Sequence, residues 1–192
     1  PMRNRNLHTY TGNYGNPAFP LIFEPFAEPG FIFGLQQFEV YNFKPEDIKY
    51  YDTYEPFTDF YYIQRARIMN LLEATQSRNF GPYVNLQVNW RSGSTNGYYT
   101  RQATEFYHFS GAGRFYSPDG RYGLIFAYIR NTMRSQENGG IANDSIFEAE
   151  APRLRAGVPV NLNSASQRYR DMRFTARQFY YLGRQERRTV IS

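Results

Sequence analysis

The chain has 192 residues and a formal net charge of +5 from 22 Lys+Arg and 17 Asp+Glu, enough length for one ordinary domain or two small ones. It has no cysteine, which excludes disulfide frameworks, thiolate zinc centres and cysteine nucleophiles together. Aromatics are 19% of residues, with 18 Tyr and 17 Phe against one Trp, yet the mean hydropathy is −0.67.

Residues 1–30 are dense in breakers: Gly12, Gly15, Pro17, Pro20, Pro25, Pro29 and Gly30. They forbid a long helix and predict an extended N-terminal segment. Its Phe19, Leu21, Ile22, Phe23 and Phe26 need cover, on or in a barrel mouth or as the edge strand of a soluble sheet. Residues 1–6 have no apolar stretch behind them, so no signal peptide is read there. The start at Pro1 suggests a mature or partial chain.

Residues 31–43 read as a first strand, ended by Lys44-Pro45-Glu46-Asp47. Proline and two acids suit one helical turn there. Residues 57–64 and 68–76 are the next candidate strands, the second equally helical by propensity. The cleanest signal is at 83–91, where Val84, Leu86, Val88 and Trp90 alternate with Asn85, Gln87, Asn89 and Arg91, a strict period of two. Ser92-Gly93-Ser94-Thr95-Asn96-Gly97 reads as a turn. Runs at 98–116 and 122–132 flank Ser117-Pro118-Asp119-Gly120, a tight-turn sequence. Both runs carry aromatics at odd and even positions, so either phase is open. The arms exceed the ~9–11 residues of a bilayer crossing, whereas soluble strands average about 5–6.

Residues 134–167 form a long irregular connection, uncommon in a compact soluble domain and expected of an extracellular barrel loop. A last strand spans 169–182, with Met172, Phe174 and Ala176 on one face and Arg173, Thr175 and Arg177 on the other. The expectation is an all-β chain with roughly six or seven strands of an antiparallel transmembrane β-barrel within 31–192. That is part of a barrel, since the smallest have about eight strands. Without a run of about 18 apolar residues there is no transmembrane helix. Barrel strands escape that test, because one face meets lipid and the other a polar lumen.

Little in the sequence points to catalysis. His8 and His108 are the only histidines. His108, with Ser110 and Glu105 nearby, reads as a lumen-facing polar residue, with a nucleophile–base–acid site as the sharper alternative. Glu46, Asp47, Asp52, Glu55 and Asp59 cluster without the spacing of a calcium loop, and read as solvated turn charges. Asn143-Asp144-Ser145 reads as a loop tip. Gly111-Ala112-Gly113 lacks the following Lys-Ser/Thr of a phosphate loop and reads as a strand bend or close approach. The basic stretch at 184–188 reads as a solvated strand end. No cofactor and no metal are implied. Tyr98, Tyr99, Arg101, Phe106, Tyr107 and Arg114 would make a nucleic-acid stacking platform. Aromatics spread through every strand argue instead for girdles, and no nucleic-acid partner is expected.

The candidate pore-lining residues are Asn85, Gln87, Asn89, Arg91, Arg173 and Arg177, with Arg130 as a possible addition. Unpaired, the arginines would favour anions. Paired with acids across the lumen, they would help to plug it.

The chain resembles the putative porins of Bacteroidetes-type Gram-negative bacteria over about residues 10–150. The likeness is carried by Gly12-Asn13-Tyr14-Gly15 followed by Phe19-Pro20-Leu21-Ile22-Phe23. It continues in Tyr41-Asn42-Phe43-Lys44-Pro45-Glu46-Asp47-Ile48-Lys49-Tyr50-Tyr51-Asp52-Thr53 and in Gly97-Tyr98-Tyr99 with Arg101-Gln102. Glu137-Asn138-Gly139-Gly140-Ile141 with Asp144-Ser145 completes it. The resemblance implies an N-terminal portion of a β-barrel in the bacterial outer membrane. The expected function is passive, porin-like diffusion of small polar or anionic solutes. Two alternatives stand beside it: a non-conducting barrel that docks other outer-membrane components, and a soluble, aromatic-rich glycan-binding module. Expected partners are outer-membrane lipid and small polar solutes, with further outer-membrane proteins or a homo-oligomer as additional possibilities.

Overall fold

The computed structural model describes residues 8–10, 12–22, 36–51, 53, 55–65, 69–143, 145 and 157–182. Six long strands form one antiparallel sheet in chain order: β3 (Phe57–Arg65), β4 (Met69–Phe80), β5 (Val84–Thr95), β6 (Thr104–Tyr116), β7 (Tyr122–Gln136) and β8 (Ser166–Tyr180). The short strands β1 (His8–Tyr10) and β2 (Ala18–Pro20) pair separately. The long strands have 9 to 15 residues, and five of the six exceed the ~9–11 residues a bilayer crossing requires. The sheet is an open arc of barrel wall, with β3 and β8 as its edges among the described residues.

Two of the strand connections are short turns at one end of the sheet. Residues 81–83 and 117–121 make the short turns. Residues 96–103, 137–143 and 157–165 belong to the opposite end. In the second turn Ser117 N–H donates to Tyr122 O at 2.9 Å and Gly120 N–H to Ser117 O at 2.9 Å. Gly120 sits at φ +69°, where a side chain would be strained. Ser117 Oγ and Asp119 Oδ1 also bond each other.

Several sequence expectations shift. Residues 31–35 lie outside the described residues, and Gln36–Tyr41 is a 3-10 helix rather than strand. Residues three apart eclipse in that helix. Phe38 and Tyr41 therefore project together, each 1% exposed, into a cluster with Ala18, Leu71, Phe106 and Met133. No strand partner is needed. The turn at Pro45–Asp47 forms as expected. The helix-capable stretch is strand from Met69 on, because β4 bonds β3 over residues 69–77 and β5 along its length. Residues 92–95 belong to β5, and only 96 onward turns away. Residues 98–103 are loop instead of strand. Gln102 Oε1 accepts from Tyr98 N–H at 3.1 Å and Tyr99 N–H at 3.2 Å, and Arg101 reaches φ +60°. At the other side β7 runs to Gln136 and β8 starts at Ser166. The 184–188 stretch, Asp52 and Asp144 lie outside the described residues.

Glycine–phenylalanine pairs lock the registers. Gly93 faces Phe106, Gly113 faces Phe126 and Gly123 faces Phe179 in adjacent strands. In each pair the ring lies across the position that a glycine Cβ would occupy. Such aromatic cover compensates the missing side chain.

Candidate functional site: the inner face of the sheet

The period of two gives each strand two faces, and register aligns them across the sheet. One face carries Leu86, Val88, Trp90, Phe109, Leu124, Phe126, Tyr128, Met172 and Phe174. Trp90 is 52% exposed and Phe174 71% exposed, an apolar surface that suits lipid contact. Gln76 and Arg78 are polar exceptions on it. Gln76 Oε1 accepts from Thr58 Oγ1 at 2.6 Å, and the Arg78 guanidinium lies 5.3 Å over the Phe80 ring. Toward the loop end this face turns charged: Glu105 pairs with Arg134, and Arg134 with Arg168. Arg130 belongs here too, between Phe109 and Met172. It is not a lumen residue. Its long stem can lie on the apolar surface while its head reaches the charged rim.

The other, inner face carries all six candidate pore-lining residues. Asn85, Gln87, Asn89 and Arg91 share it on β5, and Arg173 and Arg177 on β8. Beside them stand Ser77, Asn79, His108, Ser110 and Asn131. Phase is now fixed for the two runs left open. Thr104, Phe106, His108, Ser110 and Ala112 face inward, as do Ile129, Asn131, Met133 and Ser135. Asn89 Nδ2 donates to Ser110 Oγ at 3.0 Å, and Asn85 Nδ2 to Ser77 Oγ at 3.2 Å and to Asn79 Oδ1.

The arginines differ in their partners. Arg91 Nη2 lies 2.9 Å from Glu73 Oε1, its partner in register. The Arg91 guanidinium also caps the Phe43 ring at 4.5 Å. Arg173 Nε lies 3.0 Å from Asp171 Oδ2. Arg177 is exposed and has no ion pair among the described residues. The pairs of Arg91 and Arg173 lie within the wall, on the adjacent strand and on the same strand, and do not reach across the lumen.

Sequence reasoning took residues 31–43 for a wall strand, whereas the described residues 36–43 cover this face. Residues 12–16 lie at the loop end, where Tyr14 O accepts from Thr95 Oγ1 at 3.2 Å and Thr104 Oγ1 at 3.1 Å. Tyr14 packs edge-on against Tyr41 at 5.1 Å, and Tyr41 Oη donates to Asn16 O at 2.9 Å. Midway down the wall, Phe43 N–H donates to Asn131 Oδ1 and Asn131 Nδ2 donates back to Phe43 O, each at 3.0 Å. At the turn end Asn79 Nδ2 donates to Thr53 O at 2.7 Å. The chain thus runs the height of the wall before β3 begins. The available signal was the three-residue spacing of Phe38 and Tyr41, which suits a 3-10 turn better than a strand.

The competing chemistries do not assemble. His108 and Ser110 face inward and Glu105 outward, so sheet backbone separates the acid from the base. His108 stacks on Phe106 at 5.2 Å and meets Phe43 edge-on at 6.1 Å. Glu46, Asp47, Glu55 and Asp59 are exposed, and no metal-holding group of three or more His, Cys, Asp or Glu occurs among the described residues. Phe106 and Tyr107 lie on opposite faces, which splits the aromatic-basic platform.

An antiparallel wall of membrane-length strands, apolar on one face and polar on the other, defines the class of transmembrane β-barrels. A family model described as putative porin matches residues 2–192, and the chain belongs to that family. The match extends beyond the residues that carry the resemblance. Membership implies an outer-membrane, porin-like role. No curated protein and no solved structure matches the chain.

Proposed function

We propose that the protein is a passive diffusion channel for small polar or anionic solutes, with no catalytic step and no bound cofactor or metal. The observation that carries this reading is the opposite chemistry of the two sheet faces. Amides and hydroxyls on the inner face can replace part of a solute's hydration shell as it passes. Gln87 is 2% exposed, yet its carboxamide makes no hydrogen bond to protein among the described residues. Buried amides of this kind are satisfied by ordered water, which suits a hydrated wall. The inner strand faces carry Arg65, Arg91, Arg114, Arg173 and Arg177 against Asp59, Glu73 and Asp171. This positive excess attracts anions. Closing the arc takes strands beyond these six, since the smallest barrels have about eight. They come from the same polypeptide or from partner chains.

The reading is tested by planar-bilayer recording of the full-length protein with Arg177→Glu beside it. Stepwise, ohmic channels are expected, and Arg177→Glu should move the reversal potential in a salt gradient toward cation preference. An unchanged reversal potential removes Arg177 from the pore wall. A protein that inserts without conducting ends the channel reading and favours a second one, a docking barrel. That second reading draws on the covered inner face.

A further inference from the structure

We propose that residues 12–22 and 36–51 are the constriction element of the lumen, a fixed strap that sets its size limit and whose seat on the wall is Asn131. The proposal rests on the channel reading above. Three observations support it.

The strap bonds the wall at the loop end, at Thr95 and Thr104, and further down at Asn131, and Thr53 just past its end bonds Asn79 at the turn end. A segment fixed at one mouth only would leave the rest of the bore free.

These bonds join wall side chains to strap backbone. The Asn131 carboxamide presents a donor and an acceptor side by side, as a peptide group does, and pairs with both backbone groups of Phe43. Asn131 is 0% exposed and its Nδ2 also lies 3.3 Å from Asp171 Oδ2. Buried amides with both halves satisfied hold one geometry, because any other leaves them unpaired.

The strap also decides which charges a solute meets. It covers the middle of the wall, where Gln87, Arg91, His108 and Asn131 are buried. The flanks stay open: Asp59 and Tyr61 on β3, and Thr175 and Arg177 on β8, are exposed. Solute is thereby kept from the covered residues, and the inner positions left to it on these strands are those of the flanks.

The test uses the full-length protein in lipid. Asn131→Leu removes the central clasp at similar volume, and Thr95→Val with Thr104→Val removes the loop-end clasp without changing shape. All three changes are combined in one variant, in case a single clasp holds the strap alone. His108→Cys, the single thiol among these 192 residues, with any cysteine elsewhere in the full-length protein replaced by serine, reports whether Phe43 still shields the wall. The expected result is faster thiol reaction with a water-soluble reagent, together with a rise in single-channel conductance of roughly twofold or more. A thiol that becomes reactive while conductance stays at the parent value overturns the constriction and leaves the channel reading standing. A thiol that stays shielded in the combined variant overturns the clasps, and the proposal with them. Absence of conduction in parent and variants alike, with the thiol exposed, overturns the channel reading itself.

Discussion

A Cβ added at Gly93 would lie 2.3 Å from Phe106 Cζ and 3.0 Å from Asn70 O. The ring fills that place because Phe106 must lie flat to meet Tyr14 at 5.6 Å and His108 at 5.2 Å. Gly93→Ala is therefore expected to push Phe106 out of its seat and destabilise the folded protein by roughly 1–3 kcal/mol, the range for forced overpacking. Urea titration in lipid vesicles measures it, and stability equal to the parent would mean that the ring is not held there. Residue pairing also explains what the sequence concealed. Arg91, Arg173 and Arg177 read alike as inward arginines, and their alternation did place them on one face. Whether each meets an acid depends on register. Glu73 is 18 residues from Arg91 and becomes its neighbour only when β4 and β5 align.

At the scale of elements, the strands were legible where one face is apolar and the other polar. Residues 84–91 announce their period and their phase together. The runs at 98–116 and 122–132 hid theirs because aromatics serve both faces: Phe106 is core on the inner face, and Tyr107 and Phe109 are lipid-facing on the outer. The stretch at 36–41 misled because an aromatic spacing of three, read without its burial surface, resembles an irregular strand. The β6–β7 turn was plain from its residues, and its chemistry makes a pH prediction. The Ser117 hydroxyl, and then the Arg121 N–H, hold the Asp119 carboxyl below its usual range. A carboxylate with a lowered folded pKa stabilises above its unfolded pKa of about 3.9 and loses that contribution as pH falls through the folded value. Protection of the Ser117, Gly120 and Arg121 amides, relative to exchange in an unstructured chain, should accordingly hold at pH 5 and above and fall below about pH 4. In Asp119→Asn that acid-dependent step should vanish. A step that persists in the variant would assign the titration to another group.

At the scale of the molecule, a single principle sorts the residues: the alternation of each strand becomes the inside and outside of a wall. The outer face supplies aromatics and aliphatics to lipid, a charged rim closes it at the loop end, and the inner face holds amides, hydroxyls and arginines beneath the strap. Class and orientation could be read from composition and period, because they depend on local sequence. The strap could not, because its bonds join residues as far apart as Phe43 and Asn131. The sidedness of the wall is tested most directly by a single-cysteine scan of residues 84–91 in bilayers, each site labelled with a nitroxide. Labels at Leu86, Val88 and Trp90 should collide with lipid-dissolved oxygen, and labels at Gln87 and Asn89 should not. Uniform accessibility to a water-soluble quencher along the whole strand would contradict the account.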